Sequence, residues 1–455
     1  MLIRTRAFIY FTLFFILCLF SVVIIGNIQT DLQIKHQEAA QKKVRQQWEN
    51  LEPMNPHGAA HYGSYAFKPL NNLNSLDGGI NDITGNVIKL EGHVQNEVVY
   101  SEASQSISIS RFGKLRASIL LQYVIPMIII FFAFSSITNE RKSGRVKLLL
   151  IQGVLINKLI LAKSFSFWFY GLVLMVVTIT IQIFNNNDAD TILRLILLIC
   201  SYGFYYFIIS SLATFLSAIM KNNTAALSSI LAIWIMWTIF IPKIWGNSVE
   251  KIHPLPARQL FLNTMKEERS KGIDGHNPFD MRREELKNKY LADYNVDSLS
   301  QLPINFDGIV MQADEDYGNF IWDKHFGSNH TILQNQKFLY QLSGILNPFA
   351  SLQNLSMGLC GTDMIHHLDF IKESENYRRY LIKTLNDEHA FGGSKTGDWR
   401  WKVDETFFRS VNNFIYNNPK IKDLAYHYLV DVLCLFFWII FIPTIIKIKT
   451  RNNTI

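Results

Sequence analysis

The chain has 455 residues, of which 49% are hydrophobic, 13% aromatic and only 18% charged. That balance is too apolar for an ordinary soluble protein and too polar for a bundle of membrane spans alone, so a membrane protein with sizeable polar units is expected. The formal net charge of +7 is accounted for by basic residues flanking spans, and nucleic acid is excluded as a partner.

In chain order, Ala7 to Ile25 is an apolar run of spanning length. No small-residue cleavage pattern follows it, and IQTDLQIKHQEAAQKKVRQQWENLE continues as a polar helix, so the run reads as an uncleaved span. From Pro53 to about Ser110 the composition shifts to Gly, Asn and Pro with strand-like pieces such as VIKLEGHVQNEVVYS, which predicts loops and short strands. Leu115 to Ile137 is a second span kinked at Pro126, Phe165 to Phe184 a third, Ile192 to Met220 a fourth and Leu227 to Trp245 a fifth, with Trp245 placed at an interface. Residues 246–425 hold no span-length apolar run and are long enough for a folded unit. Within them MRREELKNKYLADY and FIKESENYRRYLIKTLNDE carry helical spacing. Tyr428 to Ile446 is the sixth span, followed by the basic tail KIKTRNNTI.

Basic residues set the expected orientation. Arg4, Arg6, Arg141, Lys142, Arg145, Lys147, Lys221, Lys447, Lys449 and Arg451 all fall on one side, whereas the short loop 185–191 has two aspartates and no basic residue. The positive-inside rule then places both termini and residues 138–163 in the cytoplasm. The division is 1–27 (span 1), 28–114 (first extracytoplasmic insertion), 115–245 (spans 2–5), 246–425 (second insertion) and 426–455 (span 6 and tail).

Signals for chemistry are few. GGSKTGD at 392–398 lacks the full phosphate-loop spacing and reads as a flexible loop, so ATP use would require a partner. His57, His61 and His93 in the first insertion and His366, His367 and His389 in the second form no ligand motif. They are read as solvated or hydrogen-bonded histidines, and no metal ligand is assigned; a metal site between the two insertions stays an open alternative. Neighbouring helical residues point about 100° apart, so His366 and His367 are unsuited to share one ion. Cys18, Cys200 and Cys434 fall in apolar runs, and Cys360 stands by itself in a polar region, so no disulfide framework is expected. No nucleophile motif is present and no catalytic residue is assigned. The spans carry almost no ionisable groups apart from Arg194 and Asp431, both read as lying near span ends. That argues against an ion-coupled carrier and for work delivered from outside the spans.

The stretch FFAFSSITNERKSGRVKLLLIQGVLINKLILAKSF resembles the segment after the second span of ABC-2 type transporter permeases. That pattern is Glu-Arg, a glycine, a leucine-rich amphipathic helix and a lysine before the next span. Glu140, Arg141, Gly144, Leu148, Leu149 and Lys163 match it, with Gly153 as an internal break, and Arg145 replaces the usual threonine. The polar segments NPHGAAHYGSYAFKPLNNLNSLDGGINDITGNVIKLEGHVQNE, LPINFDGIVMQADEDYG and LSMGLCGTDMIHHLDFIKESENYRRYLIKTLN resemble the subfamily carrying a DUF3526 extracytoplasmic region. Only about six residues precede the first span, so the interfacial helix typical of that family is expected to be missing or merged.

The resemblance implies a mainly α membrane protein with six transmembrane helices and an α+β extracytoplasmic domain built from the two insertions. It also implies a non-catalytic permease subunit in a plasma membrane, paired with a second permease subunit, identical or homologous. Residues 138–163 would dock on a cytoplasmic ATP-binding subunit, which would bind the ATP and magnesium; this chain itself would carry no cofactor. Export is the expected direction, and the substrate is not specified. The alternative is a membrane-anchored sensor or envelope-assembly scaffold that uses its polar domain without transport.

Overall fold

The computed structural model of the protein describes residues 6–96, 115–184, 188–277 and 279–451. Arg4, the strand-like run from residue 97 onward, the first residues of the acidic turn at 185–187 and the last four of the basic tail lie outside them. Among the described residues six helices are long and apolar enough to cross a membrane: Ile9–Glu49, Ala117–Lys142, Ile156–Gln182, Ala189–Ile219, Asn223–Ile252 and Ile421–Lys449. Each predicted span is present, and the first, third and fifth run well past their expected ends.

Two of the spans carry the same local device. Span 2 widens into a π-helical turn over Leu120–Val124 before resuming at Ile125–Ala133 with Pro126 in its first turn. Span 5 widens over Met236–Phe240 ahead of Pro242. A proline has no N–H and its ring clashes with the carbonyl one turn back, so one extra residue per turn relieves both problems. This is the physical form of the kink expected at Pro126.

The polar segments gather at one end of the bundle as a lobe. Span 1 reaches into it without a break, as one 44-residue helix from Arg6 to Glu49. Its end is anchored by Trp48, which packs edge-on against Phe408 and donates its indole N–H to the Phe408 carbonyl at 3.0 Å. Two long helices form the lobe's frame, Phe306–Leu342 and Met364–Phe391. They run antiparallel: the Asn305 N–H meets the Ala390 carbonyl at one end, and Lys337 pairs with Asp363 at the other, at 2.8 and 2.9 Å. Three small apolar cores fill the lobe, around Trp48 and Leu381, around Phe306 and Val310, and around Phe370 and Ile88. Among the described residues the expected strands amount to one antiparallel pair, β1 (Ser64–Phe67) with β2 (Val87–Leu90), in register Ser64 to Leu90. The rest of the described lobe is helical or irregular, apart from isolated bridges at Met54–Val403 and Glu91–Val94.

The lobe also supplies a helix to the bundle. Pro348–Cys360, capped by the Asn347 side chain on the Phe349 N–H, sinks Phe349, Leu352, Leu355 and Leu359 into the same core as the spans. Phe349 sits between Tyr123 and Tyr205, with ring centroids 5.1 and 6.1 Å away. Cys360, read from sequence as a residue of a polar region, is buried in this core. A 13-residue helix is too short to cross a bilayer, so hydropathy alone does not register it.

This helix is fitted to span 6 with no spare room. A Cβ placed on Gly358 would lie 2.2 Å from the Tyr428 ring. Gly358→Ala is therefore expected to overpack the junction by about 1–3 kcal/mol, read as a lowered melting temperature of the detergent-solubilised protein.

Candidate coupling segment and lobe–bundle junction

At the end of the bundle opposite the lobe, the chain between spans 2 and 3 folds into two short helices. Thr138–Lys142 continues span 2, Gly144 turns the chain at φ 75°, and Arg145–Ile151 runs to a second turn at Gly153, φ 84°. Nothing lies within 4 Å of a Cβ at either glycine, so the left-handed backbone and not crowding is what requires them. Span 3 then starts at Ile156, which places Lys163 two turns inside it. Gly153, read from sequence as an internal break, divides the amphipathic run ahead of Lys163.

The segment is braced on three sides. Lys163 Nζ reaches Glu140 Oε1 at 2.8 Å and the Ser136 carbonyl at 3.2 Å, closing its base. Arg141 donates to the carbonyls of Ala218, at 2.8 Å, and Met220 at the end of span 4. Thr138 Oγ1 donates to the Ser217 carbonyl at 2.7 Å, and Ser217 Oγ accepts from the Ile137 and Thr138 N–H groups. Four of the sequence-predicted residues, Glu140, Arg141, Gly144 and Lys163, are therefore brought together as the frame. Within the helix, Val146 is buried, Leu149 is half-buried, and Leu148 and Ile151 are 61% and 74% exposed, joined by Leu155 at 47%. Ile151 and Leu155 were not singled out from sequence, because helical periodicity alone does not say which apolar side faces the bundle. These residues leave an uncovered apolar face on a braced, basic tip.

At the other end, the lobe is locked to the spans by polar groups buried between them. Arg194 of span 4 pairs with Asp190 at 2.6 Å and donates to the carbonyls of Pro419, at 2.7 Å, and of Gly358 and Leu359, both at 3.3 Å. A second knot joins Asp77, Gln122, Tyr202 and Ser356: Ser356 donates to Asp77 at 2.5 Å, and Gln122 reaches both Asp77 and the Tyr202 hydroxyl. Asp431 of span 6 accepts from Gln341 and Asn354 at 2.6 and 3.2 Å. Arg194 and Asp431, expected to reach a solvated interface, are instead 5% and 0% exposed and satisfied inside the protein. Trp245 is half-buried and donates to the Leu339 carbonyl at 2.8 Å.

The polar lobe residues separate by environment. Asp363 is buried, which disfavours its charge, but the hydrogen bond from His366 and the nearby Lys337 hold its carboxyl well below the usual carboxylate range. His367, one residue on, faces a different neighbourhood; burial and then Lys68 and His330 push it down to about 4. His389 lies between Asn55 and Asn305. The 392–398 loop is tied down, with Thr396 Oγ1 accepting from the Phe306 N–H and the Gly397 N–H donating to Asp307 Oδ2. It caps the long lobe helix. His57, His61 and His93 converge, and His276 joins them although sequence spacing had given no reason to include it. Burial and then the rings of His93 and His61 push His57 down to about 3, so all of its lone-pair chemistry is that of a neutral imidazole.

The profile of the ABC-2 family transporter proteins matches residues 1–291, which takes in spans 1–5 and the braced tip. The chain belongs to the ABC-2 transporter family. A domain of unknown function, DUF3526, matches residues 258–417, most of the second polar segment. No curated protein and no solved structure matches the chain. With six spans and this family, the protein is a multi-pass membrane permease subunit of an ABC transporter.

The buried His367 sets a pH dependence for this ABC-2 permease. Its folded-state value, about 4, lies below the unfolded value of about 6.5, so the unfolded chain binds more protons between the two. Stability is full above pH 6.5 and falls as pH drops toward 4. The His367 contribution is on the order of 3 kcal/mol. His367→Gln is expected to flatten the fall in melting temperature between pH 6.5 and 4.

Proposed function

We propose that the protein is the membrane-spanning half of an ATP-driven exporter, docked through residues 138–163 on a separate cytoplasmic ATP-binding subunit. In this reading both termini and the braced tip lie in the cytoplasm, and the lobe, built from the two insertions 28–114 and 246–425, stands on the extracytoplasmic face over the exit. The basic residues gathered at the tip end support that orientation. A second permease subunit, identical or homologous, completes the transporter in a plasma membrane, and ATP and magnesium are bound by the ATPase partner.

The observation that carries the proposal is the exposed face of Leu148, Ile151 and Leu155 on a tip tied to spans 2, 3 and 4. An apolar face held rigidly to three spans can pass a push from a partner into the bundle, whereas a loose loop would absorb it. The Glu140–Lys163 pair is about one-fifth exposed on each side. Such pairs contribute no more than about 1 kcal/mol to stability, so their value here is to hold the tip's direction.

Co-expressed with its ATP-binding partner, the wild-type chain is expected to copurify with it and to show ATPase activity only as the complex. Leu148→Asp with Ile151→Asp is expected to abolish copurification while membrane insertion and melting temperature stay unchanged. Glu140→Gln is expected to keep the complex but lower coupled ATPase activity several-fold. A membrane-anchored sensor or scaffold would tolerate all three changes, and that outcome would overturn the proposal.

A further inference from the structure

Four histidines from three separate pieces of chain meet on the lobe. His57 and His61 lie four residues apart on the helix Pro56–Tyr62, which is started by Asn55 capping the His57 N–H at 2.9 Å. This segment was expected to be a loop; as a helix it stacks the two rings on one face. His93 stands in the turn after β2 in a left-handed conformation, φ 63°, one that histidine adopts more readily than most residues. His276 comes from the loop between the helices Arg258–Arg269 and Met281–Tyr294, where its N–H is held by Asp274 at 2.9 Å.

One potential ligand atom from each histidine lies within 4.8 Å of all the others. His57 Nε2 is 3.1 Å from His61 Nε2 and 3.3 Å from His276 Nε2. Nitrogens bound to one tetrahedral zinc at about 2.0–2.1 Å would be about 3.3–3.4 Å apart, so these separations are already those of a ligand set. The ring centroids are 4.6 to 6.0 Å apart across all six pairs. Near-equal separations over all six pairs describe a tetrahedron of rings and not a chain.

The surroundings match a cation. His93 Nδ1 lies 2.9 Å from Asp314 Oδ2 and 3.1 Å from Glu315 Oε1, which leaves its Nε2 for the centre. A carboxylate behind the imidazole is the arrangement that orients a metal-binding histidine and raises its basicity. Both carboxylates are nearly fully buried and fixed in turn, Asp314 by Arg269 and Glu315 by Arg378 at 2.9 Å. His61 and His276 are exposed, which gives an ion a way in. Hydrogen bonding alone would join such rings in pairs, and it gives no reason for four to converge.

We infer that His57, His61, His93 and His276 form a four-coordinate site for a divalent transition metal of the zinc class, clipping the first polar segment of the lobe to the second. The all-imidazole set suits zinc and disfavours calcium or magnesium, which take oxygen ligands. The inference is independent of the direction of transport and of the ATPase partner.

The test uses the full-length protein in detergent, purified through a tag without histidines and stripped with chelator. Zn2+ titrated calorimetrically is expected to bind at one equivalent per chain and to raise the melting temperature. Co2+ in its place is expected to give the strong visible absorption of a tetrahedral ion. His61→Gln with His276→Gln, both at exposed positions, is expected to weaken Zn2+ binding by at least tenfold and to remove the Co2+ bands, and His276→Gln alone to weaken binding in the same direction. Equal Zn2+ affinity in wild type and double variant, or a Co2+ spectrum like that of the hydrated ion in the wild type, would overturn the inference.

Discussion

The Arg194 guanidinium, buried between span 4 and the lobe, is the constraint on which the rest of the architecture depends. A buried charge is tolerated only when its donors are matched. Here they are matched by Asp190 on its own helix and by three backbone carbonyls, of Gly358, Leu359 and Pro419. Those carbonyls belong to the end of the inserted helix and to the chain that leads into span 6. Satisfying one arginine therefore fixes where the lobe helix enters the bundle and where span 6 begins. The Asp77–Gln122–Tyr202–Ser356 knot repeats the logic between span 2, span 4 and both polar segments.

From this lock follows a division of labour along the molecule. At the lobe end Arg194, Asp77 and Asp431 are partnered across the junction between lobe and spans. At the far end the bracing is equally firm, through Arg141, Lys163 and Ser217, but the apolar face of Leu148 and Ile151 is left uncovered. The tip itself is tied to spans 2, 3 and 4 by side-chain hydrogen bonds. The paired π turns ahead of Pro126 and Pro242 are the places in spans 2 and 5 where helix geometry is already relaxed.

Much of this was legible in the chain. Spans were readable because each is an apolar run of bilayer length, and a helix that satisfies its own backbone is what such a run requires. The residues of the tip could be named because they match a short, local pattern of the family the chain resembles. The inserted helix was not legible, since PFASLQNLSMGLC is shorter than a span and mixes polar with apolar residues. His276 was missed for a related reason: it is 183 residues beyond His93 (276 − 93), and no local pattern ties it to the other three.

The sequence by itself determined the six spans, the family and the place of the basic tip between spans 2 and 3, because these depend on hydropathy, charge and short motifs read within one segment. Only the tertiary structure decided that Arg194 and Asp431 face inward, that Cys360 belongs to the bundle core, and that Ile151 rather than Val146 faces outward. It alone decided which histidines meet. Each of these is a matter of which distant segment supplies the partner for a polar group or the cover for an apolar one, and periodicity within a segment carries no information about that.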